Sequence, residues 1–401
     1  MKFSRFNIII KRNEYWILYN TLTGNVVKIP PSSYSTANKD LLRLGYLVEN
    51  DGDDLLQYKY MYYGQMFNCK SINLVIATSM DCNLNCPYCF EGSNKRPINI
   101  DINTKNSILS YLLKHQSLPI SITWFGGEPM LAHQAIGEIS NALNAESVSY
   151  TSHIITNGTI FPDLFLSKID CYNIKSVQIT LDGVKATHDS KRHFKNGKGT
   201  FDIIIANAQK VLERSNAEVV LKMNIDASNR DEYAVLARLL KTEFADYIAN
   251  NRVTITSNYI RKKRNFDGIE KCIGCREYFD FELKNGKATS MPALIGPCPL
   301  RCRGYFVIGP DGTLYKCMEH LGEAQHVIGN INSMSFSIRK ESSSCMRYMP
   351  FDDRVCSHCN ILPICGGGCP NERAKSKGEE RPCPAEKYKI NDIITKLYDN
   401  Q

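Results

Sequence analysis

Residues 77–95 read ATSMDCNLNCPYCFEGSNK, and in them three cysteines stand as Cys82-x3-Cys86-x2-Cys89, directly after the β-branched run SINLVIATSM. A tetrahedral zinc site or a fully ligated iron-sulfur cube takes four thiolates. Three thiolates wrapped round one face of a 4Fe-4S cube leave the fourth iron open, and a small molecule can bind there through its own heteroatoms. Three close cysteines are also half of a zinc site, so the choice between the two rests on the residues downstream.

Five further β-rich runs succeed the motif: ISITWFGGE, SHIITNG, SVQITLDG, EVVLKMNID and RVTITSNYI. Helical patterns such as FDIIIANAQKVLERS separate them, so residues 70–290 are expected to form an α/β domain of βα units round a parallel sheet. Periodicity alone leaves open whether the sheet is doubly wound or an incomplete barrel. Residues 1–66 alternate short apolar runs (NIII, YWILYN, VVKI) with turn signals and read as a small α+β module. From 291 to 401 the texture changes to short runs, glycine, proline and cysteine; metal ligation is expected to supply folding free energy that burial there does not.

No run of about 18 uncharged apolar residues is present, and Lys11 and Arg12 interrupt the apolar start, which argues against a signal peptide and a spanning helix. The chain reads as soluble and cytoplasmic, with no membrane partner. In a reducing compartment, its 16 cysteines point to metal ligation rather than disulfides. The formal charge of +8 counts thiols as neutral. Three bound clusters would bring it to roughly +3. The run Arg261 to Arg264 has no interleaved aromatics, so no nucleic-acid partner is expected.

With Tyr88 before its last cysteine, the first motif resembles the CxxxCxφC signature of radical S-adenosylmethionine (SAM) enzymes, φ being aromatic. GGEP (Gly126 to Pro129), TNG (Thr156 to Gly158) and TLDGVKATHDSKR (Thr180 to Arg192) come next at predicted strand ends in the order that family uses. The resemblance implies a partial (β/α)6 barrel with a 4Fe-4S cluster on Cys82, Cys86 and Cys89. It also implies SAM contacts from Tyr88, Gly126, Gly127, Glu128, Asn157, Thr180, Asp182 and Arg192. In the family, a reduced cluster cleaves SAM to a 5′-deoxyadenosyl radical that takes hydrogen from a substrate C–H bond.

Further on, Cys302-x9-Gly312-x4-Cys317, then Cys356-x2-Cys359-x5-Cys365-x3-Cys369, then Cys383 looks like the SPASM extension of that family. By analogy one auxiliary 4Fe-4S cluster takes Cys298, Cys302, Cys317 and Cys369, and a second takes Cys356, Cys359, Cys365 and Cys383, making three clusters in all. Zinc is the alternative for CxxC pairs. Cys275 is an alternative ligand to Cys298, or it and Cys272 are plain thiols; Cys69, Cys171 and Cys345 are read as buried or incidental.

SPASM architecture implies a peptide or protein substrate. Sulfatase-maturating enzymes carry an aspartate base directly after the cysteine equivalent to Cys317; here Met318 stands there, followed by Glu319 and His320, the candidate catalytic pair. The resemblance therefore leans to peptide maturases that install thioether or carbon–carbon cross-links. Residues 1–66 would then be a winged-helix-like module for the leader of a precursor peptide, and an external donor such as flavodoxin or ferredoxin would supply electrons. Alternatives are a formylglycine-forming sulfatase maturase and a non-catalytic iron-sulfur or zinc scaffold.

Overall fold

The structure, a computed structural model, describes residues 1–260, 275–285, 291–337, 344–378, 381–384 and 386–398. Cys272, the basic run at 261–264 and the side chains of Cys275 and Cys345 lie outside the described residues. The chain divides into two compact units, one of residues 1–69, 274–303 and 343–401, the other of 70–273 and 304–342.

In the first unit β1 (Asn7–Lys11), β2 (Trp16–Asn20) and β3 (Val26–Ile29) form an antiparallel sheet, and α1 spans Asp54–Phe67. Asp53 starts α1 by accepting the amide N–H groups of Leu55 and Leu56, two of the donors a helix start leaves unmet. Tyr58, Tyr62 and Met66, four apart, form its buried stripe. One face of the sheet, with Ile9, Leu18 and Val27, packs on Leu41, Tyr46 and Leu47 in a core of the module's own; the other face is completed from the end of the chain. Ile8, Ile10, Ile17 and Tyr19 share an apolar cluster with Ile361, Ile364, Ile390, Ile393 and Ile394, so the N-terminal strands and the last cysteine segment bury each other.

The second unit carries six parallel strands: β4 (Ile72–Ser79), β5 (Ile120–Gly126), β6 (Tyr150–Thr156), β7 (Ile174–Leu181), β8 (Glu218–Ile225) and β9 (Val253–Tyr259). They lie side by side in chain order, each hydrogen-bonded to the next. A doubly wound sheet reverses strand order at a switch point. No reversal occurs here, so right-handed crossovers wind in one direction and the helices collect on one face, as in a barrel sector. Burial alternates accordingly: Val177, Ile179 and Leu181 of β7 are fully buried, while Ser176, Gln178 and Thr180 face the more open side. A seventh parallel strand, β10 (Tyr305–Ile308), pairs with β4 from the cysteine-rich part of the sequence. Among the described residues no helix is long and apolar enough to cross a membrane.

Candidate active site and metal centres

The carboxyl ends of β4 to β7 bring together the first motif and its companions. Gly127 and Glu128 donate backbone N–H groups to the carbonyls of Ser79 and Asp81, at 3.0 and 2.8 Å, just ahead of Cys82. A Cβ on Gly126, whose φ is +128°, would stand 2.1 Å from the Ser79 carbonyl oxygen, and one on Gly127 2.4 Å from that of Asp81. The two glycines are therefore what lets this backbone lie against the start of the cysteine loop.

Glu128 is fully buried. Its carboxylate accepts from Thr156 Oγ1 (2.6 Å), the Asn157 amide (2.7 Å) and the Met130 amide (3.0 Å). Burial raises its pKa while these three donors pull it back, and all three favour the carboxylate. The acid thus ties the end of β5 to the end of β6. Asn157, fixed in this way, donates to Asn83 Oδ1 (2.8 Å) and toward Cys82 Sγ (3.8 Å).

Cys82 is buried and Cys86 and Cys89 are half-buried. Burial raises all three thiols; Arg192 opposes this at Cys86, and Lys95 at Cys82 and Cys89. Three thiols, one buried and two half-buried, leaning on two cations are a donor set that a positively charged metal centre would deprotonate and hold. A brace that sequence reasoning missed comes from the loop after Arg192: Asn85 and Lys195 N–H groups pair with the His193 and Asn83 carbonyls, so residues 83–85 run as a short ladder beside 193–195.

His188, Asp189 and Arg192 of THDSKR have separate tasks. His188 Nδ1 faces the Asp182 amide (3.3 Å) and Nε2 faces Thr200 Oγ1 (3.0 Å); burial lowers its pKa to about 3, so the ring is neutral and structural. Asp189 accepts the Thr200 and Phe201 amides and starts the helix Phe201–Arg214. Arg192 donates Nη1 to Tyr88 OH at 2.8 Å, and Tyr88 hydrogen-bonds Asp182. Asp182 Oδ1 and Arg192 Nε are buried with no hydrogen-bond partner among the described residues. A buried acceptor and donor left open beside the cysteine loop suit a polar zwitterionic ligand such as SAM. Thr180, on the open face of β7, lies in register with Lys222 of β8.

Glu319 and His320 sit in the turn Met318–His320. His320 is 6% exposed and its ring stacks on His326 with centroids 3.7 Å apart. Met318 packs on the cluster of Met80, Phe125, Tyr315 and Leu321.

The later cysteines occur in two places. In the first unit Cys298, Cys302 and Cys369 are close enough for the latter two to disfavour a thiolate on Cys298, whose pKa burial already raises; Cys317 belongs to the second unit, after the strand Thr313–Tyr315. Cys356, Cys359, Cys365 and Cys383 line one small cavity with Arg373 and Lys387. Burial pushes the Cys365 thiol up to about 12. Gly366, Gly367 and Gly368 all have positive φ, a run only glycine tolerates, and the turn aims the Gly367 N–H at Cys365 Sγ (3.3 Å). The four sulfurs surround a space: among the described residues no three His, Cys, Asp or Glu side chains converge closely enough to hold one metal ion. Four thiols lining one cavity are a donor set that a four-iron cube takes, one iron to each sulfur. Cys171 is exposed and Cys69 half-buried.

A barrel sector with a three-cysteine loop at its strand ends fits the radical SAM class. Residues 76–240 match the profile of the radical SAM superfamily, so this part of the chain is a radical SAM domain. A serine-type anaerobic sulfatase-maturating enzyme of Klebsiella aerogenes is 24% identical over 345 residues, covering 79% of this chain and 83% of the relative. The fold is similar to that of anSMEcpe with bound AdoMet (TM-score 0.58, 19% identity, 80% of this chain and 94% of the other). It is also similar to that of Streptococcus suis SuiB bound to precursor peptide SuiA (TM-score 0.55, 14% identity, 96% and 98%).

Proposed function

We propose that this chain is a peptide maturase that abstracts hydrogen from a ribosomal precursor peptide and installs a thioether or carbon–carbon cross-link. The observation that carries the cross-linking reading over formylglycine formation is Met318. The position after Cys317, where the sulfatase-maturating pattern needs an aspartate base, is a thioether packed among apolar side chains, and a thioether takes up no proton at neutral pH.

Cys82, Cys86 and Cys89 would hold the SAM-binding 4Fe-4S cluster, and Tyr88, Gly126, Gly127, Thr180, Asp182 and Arg192 would contact SAM. When bound and reduced, that pair of cofactors supplies a carbon-centred radical able to take hydrogen from an unactivated C–H bond. The protein's share is placement and exclusion of water. Arg192 and Asp182 offer a buried cation and carboxylate for the charged groups of SAM; Glu128 acts through Asn157, holding the cysteine loop to the strand ends. The open strand face, lined by Ser176, Gln178 and Thr180, offers a polar path for a peptide.

The two auxiliary cysteine sets would hold 4Fe-4S clusters that accept the electron released on cross-linking, with a flavodoxin or ferredoxin reducing the first cluster. Residues 1–66 would dock the leader by pairing it with the free edge of β3, the last strand of its sheet. Glu319 and His320 remain the candidate pair for proton transfer. The reading rests on the radical SAM match, on the likeness to a sulfatase-maturating enzyme and to a structure bound to a precursor peptide, and on the chemistry of Met318.

The test is anaerobic incubation of the reconstituted enzyme, SAM and dithionite with a precursor peptide encoded beside its gene and, separately, with a sulfatase-derived peptide. Loss of two hydrogens from the precursor, with no hydrazide-reactive aldehyde on either peptide, is the expected result. An aldehyde on the sulfatase peptide would replace cross-linking with formylglycine formation.

A further inference from the structure

Cysteine thiolates set a cluster's basic potential; hydrogen bonds to the sulfurs and nearby charge adjust it. In the first unit the cavity of Cys356, Cys359, Cys365 and Cys383 has an unusual wall. Arg373, 3% exposed, donates Nη2 to Cys356 Sγ at 3.1 Å and to the Gly367 carbonyl at 3.3 Å. Lys387 Nζ lies 3.9 Å from Cys359 Sγ. The Gly367 amide is aimed at Cys365 Sγ. Asp353 holds the guanidinium from its far side, accepting Arg373 Nη1 at 3.1 Å, and also pairs with Arg381 at 2.8 Å. Among the described residues three cations (Arg373, Arg381, Lys387) and one carboxylate (Asp353) lie about the four thiols.

We propose that Arg373 and Lys387 are positioning residues that raise the reduction potential of an auxiliary 4Fe-4S cluster on Cys356, Cys359, Cys365 and Cys383, making this centre the resting place of the electron released by substrate. This rests on the reading of that cysteine set as a cluster site. The sign comes from charge. A cube ligated by four thiolates goes from about −2 to about −3 when it takes up one electron. Two cationic donors on its sulfurs therefore stabilise the reduced form more than the oxidised one. No bond forms or breaks at this centre: one electron arrives from the substrate radical as the cross-link closes, and the proton lost from substrate passes by way of the Glu319 and His320 pair to solvent.

The test is an anaerobic redox titration followed by electron paramagnetic resonance, in a Cys82→Ala, Cys86→Ala, Cys89→Ala background, with the relevant signal assigned by its loss in Cys383→Ala. Iron and sulfide are quantified in every variant. Lys387→Met, at a half-exposed position, should keep its cluster and become harder to reduce. Arg373→Met should shift further, with the reduced fraction at fixed poise falling about tenfold, which is about 59 mV for a one-electron couple. Asp353→Asn, which removes the local negative charge, should shift the opposite way, an outcome that mere loosening of the loop does not produce. A fully loaded Lys387→Met with unchanged potential, or Lys387→Met and Asp353→Asn shifting in the same direction, overturns the tuning role while leaving the cluster reading intact. Zinc without sulfide at these four cysteines overturns both.

Discussion

Replacing Glu128 by glutamine tests the link between strand ends and cysteine loop. The carboxylate accepts three hydrogen bonds: Thr156 Oγ1 and the Met130 amide share Oε1, and the Asn157 amide takes Oε2. Glutamine retains one acceptor oxygen, so it can serve Oε1's two donors but must turn an NH2 group toward the Asn157 N–H. A buried donor left unmet costs about 1–3 kcal/mol. In a unit of this size each kcal/mol lowers the melting temperature by about 2–4 °C, so E128Q should melt about 2–12 °C lower. E128A orphans all three donors and should melt lower still. Calorimetry of the anaerobic protein checks both. E128Q melting with the wild type, or E128A proving more stable than E128Q, would refute the role assigned to this acid.

Gly126→Ala should be recovered poorly or melt well below the wild type, since its Cβ would stand 2.1 Å from a backbone oxygen at a φ of +128°; normal expression and melting would count against the close approach described. Arg192→Lys keeps the charge but loses the fork that reaches Tyr88, so SAM affinity measured by equilibrium dialysis should fall about 10-fold or more; unchanged affinity would remove Arg192 from the SAM site. Asp353 titrates at about 2 rather than its ordinary 3.8, because Arg381, the Cys356 and Val355 amides and Arg373 together outweigh the cost of its burial. That depression is worth about 2 kcal/mol above about pH 4 and is lost as pH falls toward 2. Urea midpoints of the apo wild type and D353N should therefore differ at pH 6 and converge on acidification; a gap that stays constant would exclude the carboxylate as the cause.

Much of the second unit was legible in the sequence because its signals are local. GGEP, TNG and the TLDG of TLDGVKATHDSKR do lie at the ends of β5, β6 and β7, where the β-rich runs break off, while THDSKR falls in and just after the helix Lys185–Lys191. The motif letters hid different tasks. Glu128 and Asn157 hydrogen-bond protein groups, His188 and Asp189 are structural, and among the HDSKR residues Arg192 alone reaches Tyr88. What the sequence could not convey is pairing across long separations. β10 reads as one short apolar run in a cysteine-rich tail, yet its register with β4 makes it a strand of the main sheet. Nor does periodicity reveal that Ile8 and Ile17 pack with Ile364 and Ile394. Because of that shared core, deletion of residues 1–66 would strip apolar support from the second auxiliary cysteine set, and leader docking is better tested by substitutions along β3. Arg373 and Lys387 escaped because nothing in a CxxC spacing says which cation folds back on the sulfur.

The central claim concerns the open corner of a cube on Cys82, Cys86 and Cys89. Anaerobic reconstitution, then SAM and dithionite, then chromatography for 5′-deoxyadenosine tests it most directly, with the triple alanine variant of those cysteines alongside. The wild type should release the nucleoside, and the variant should release none although its auxiliary iron is retained. Intact SAM with a fully loaded wild type, or equal cleavage by the variant, would contradict the claim.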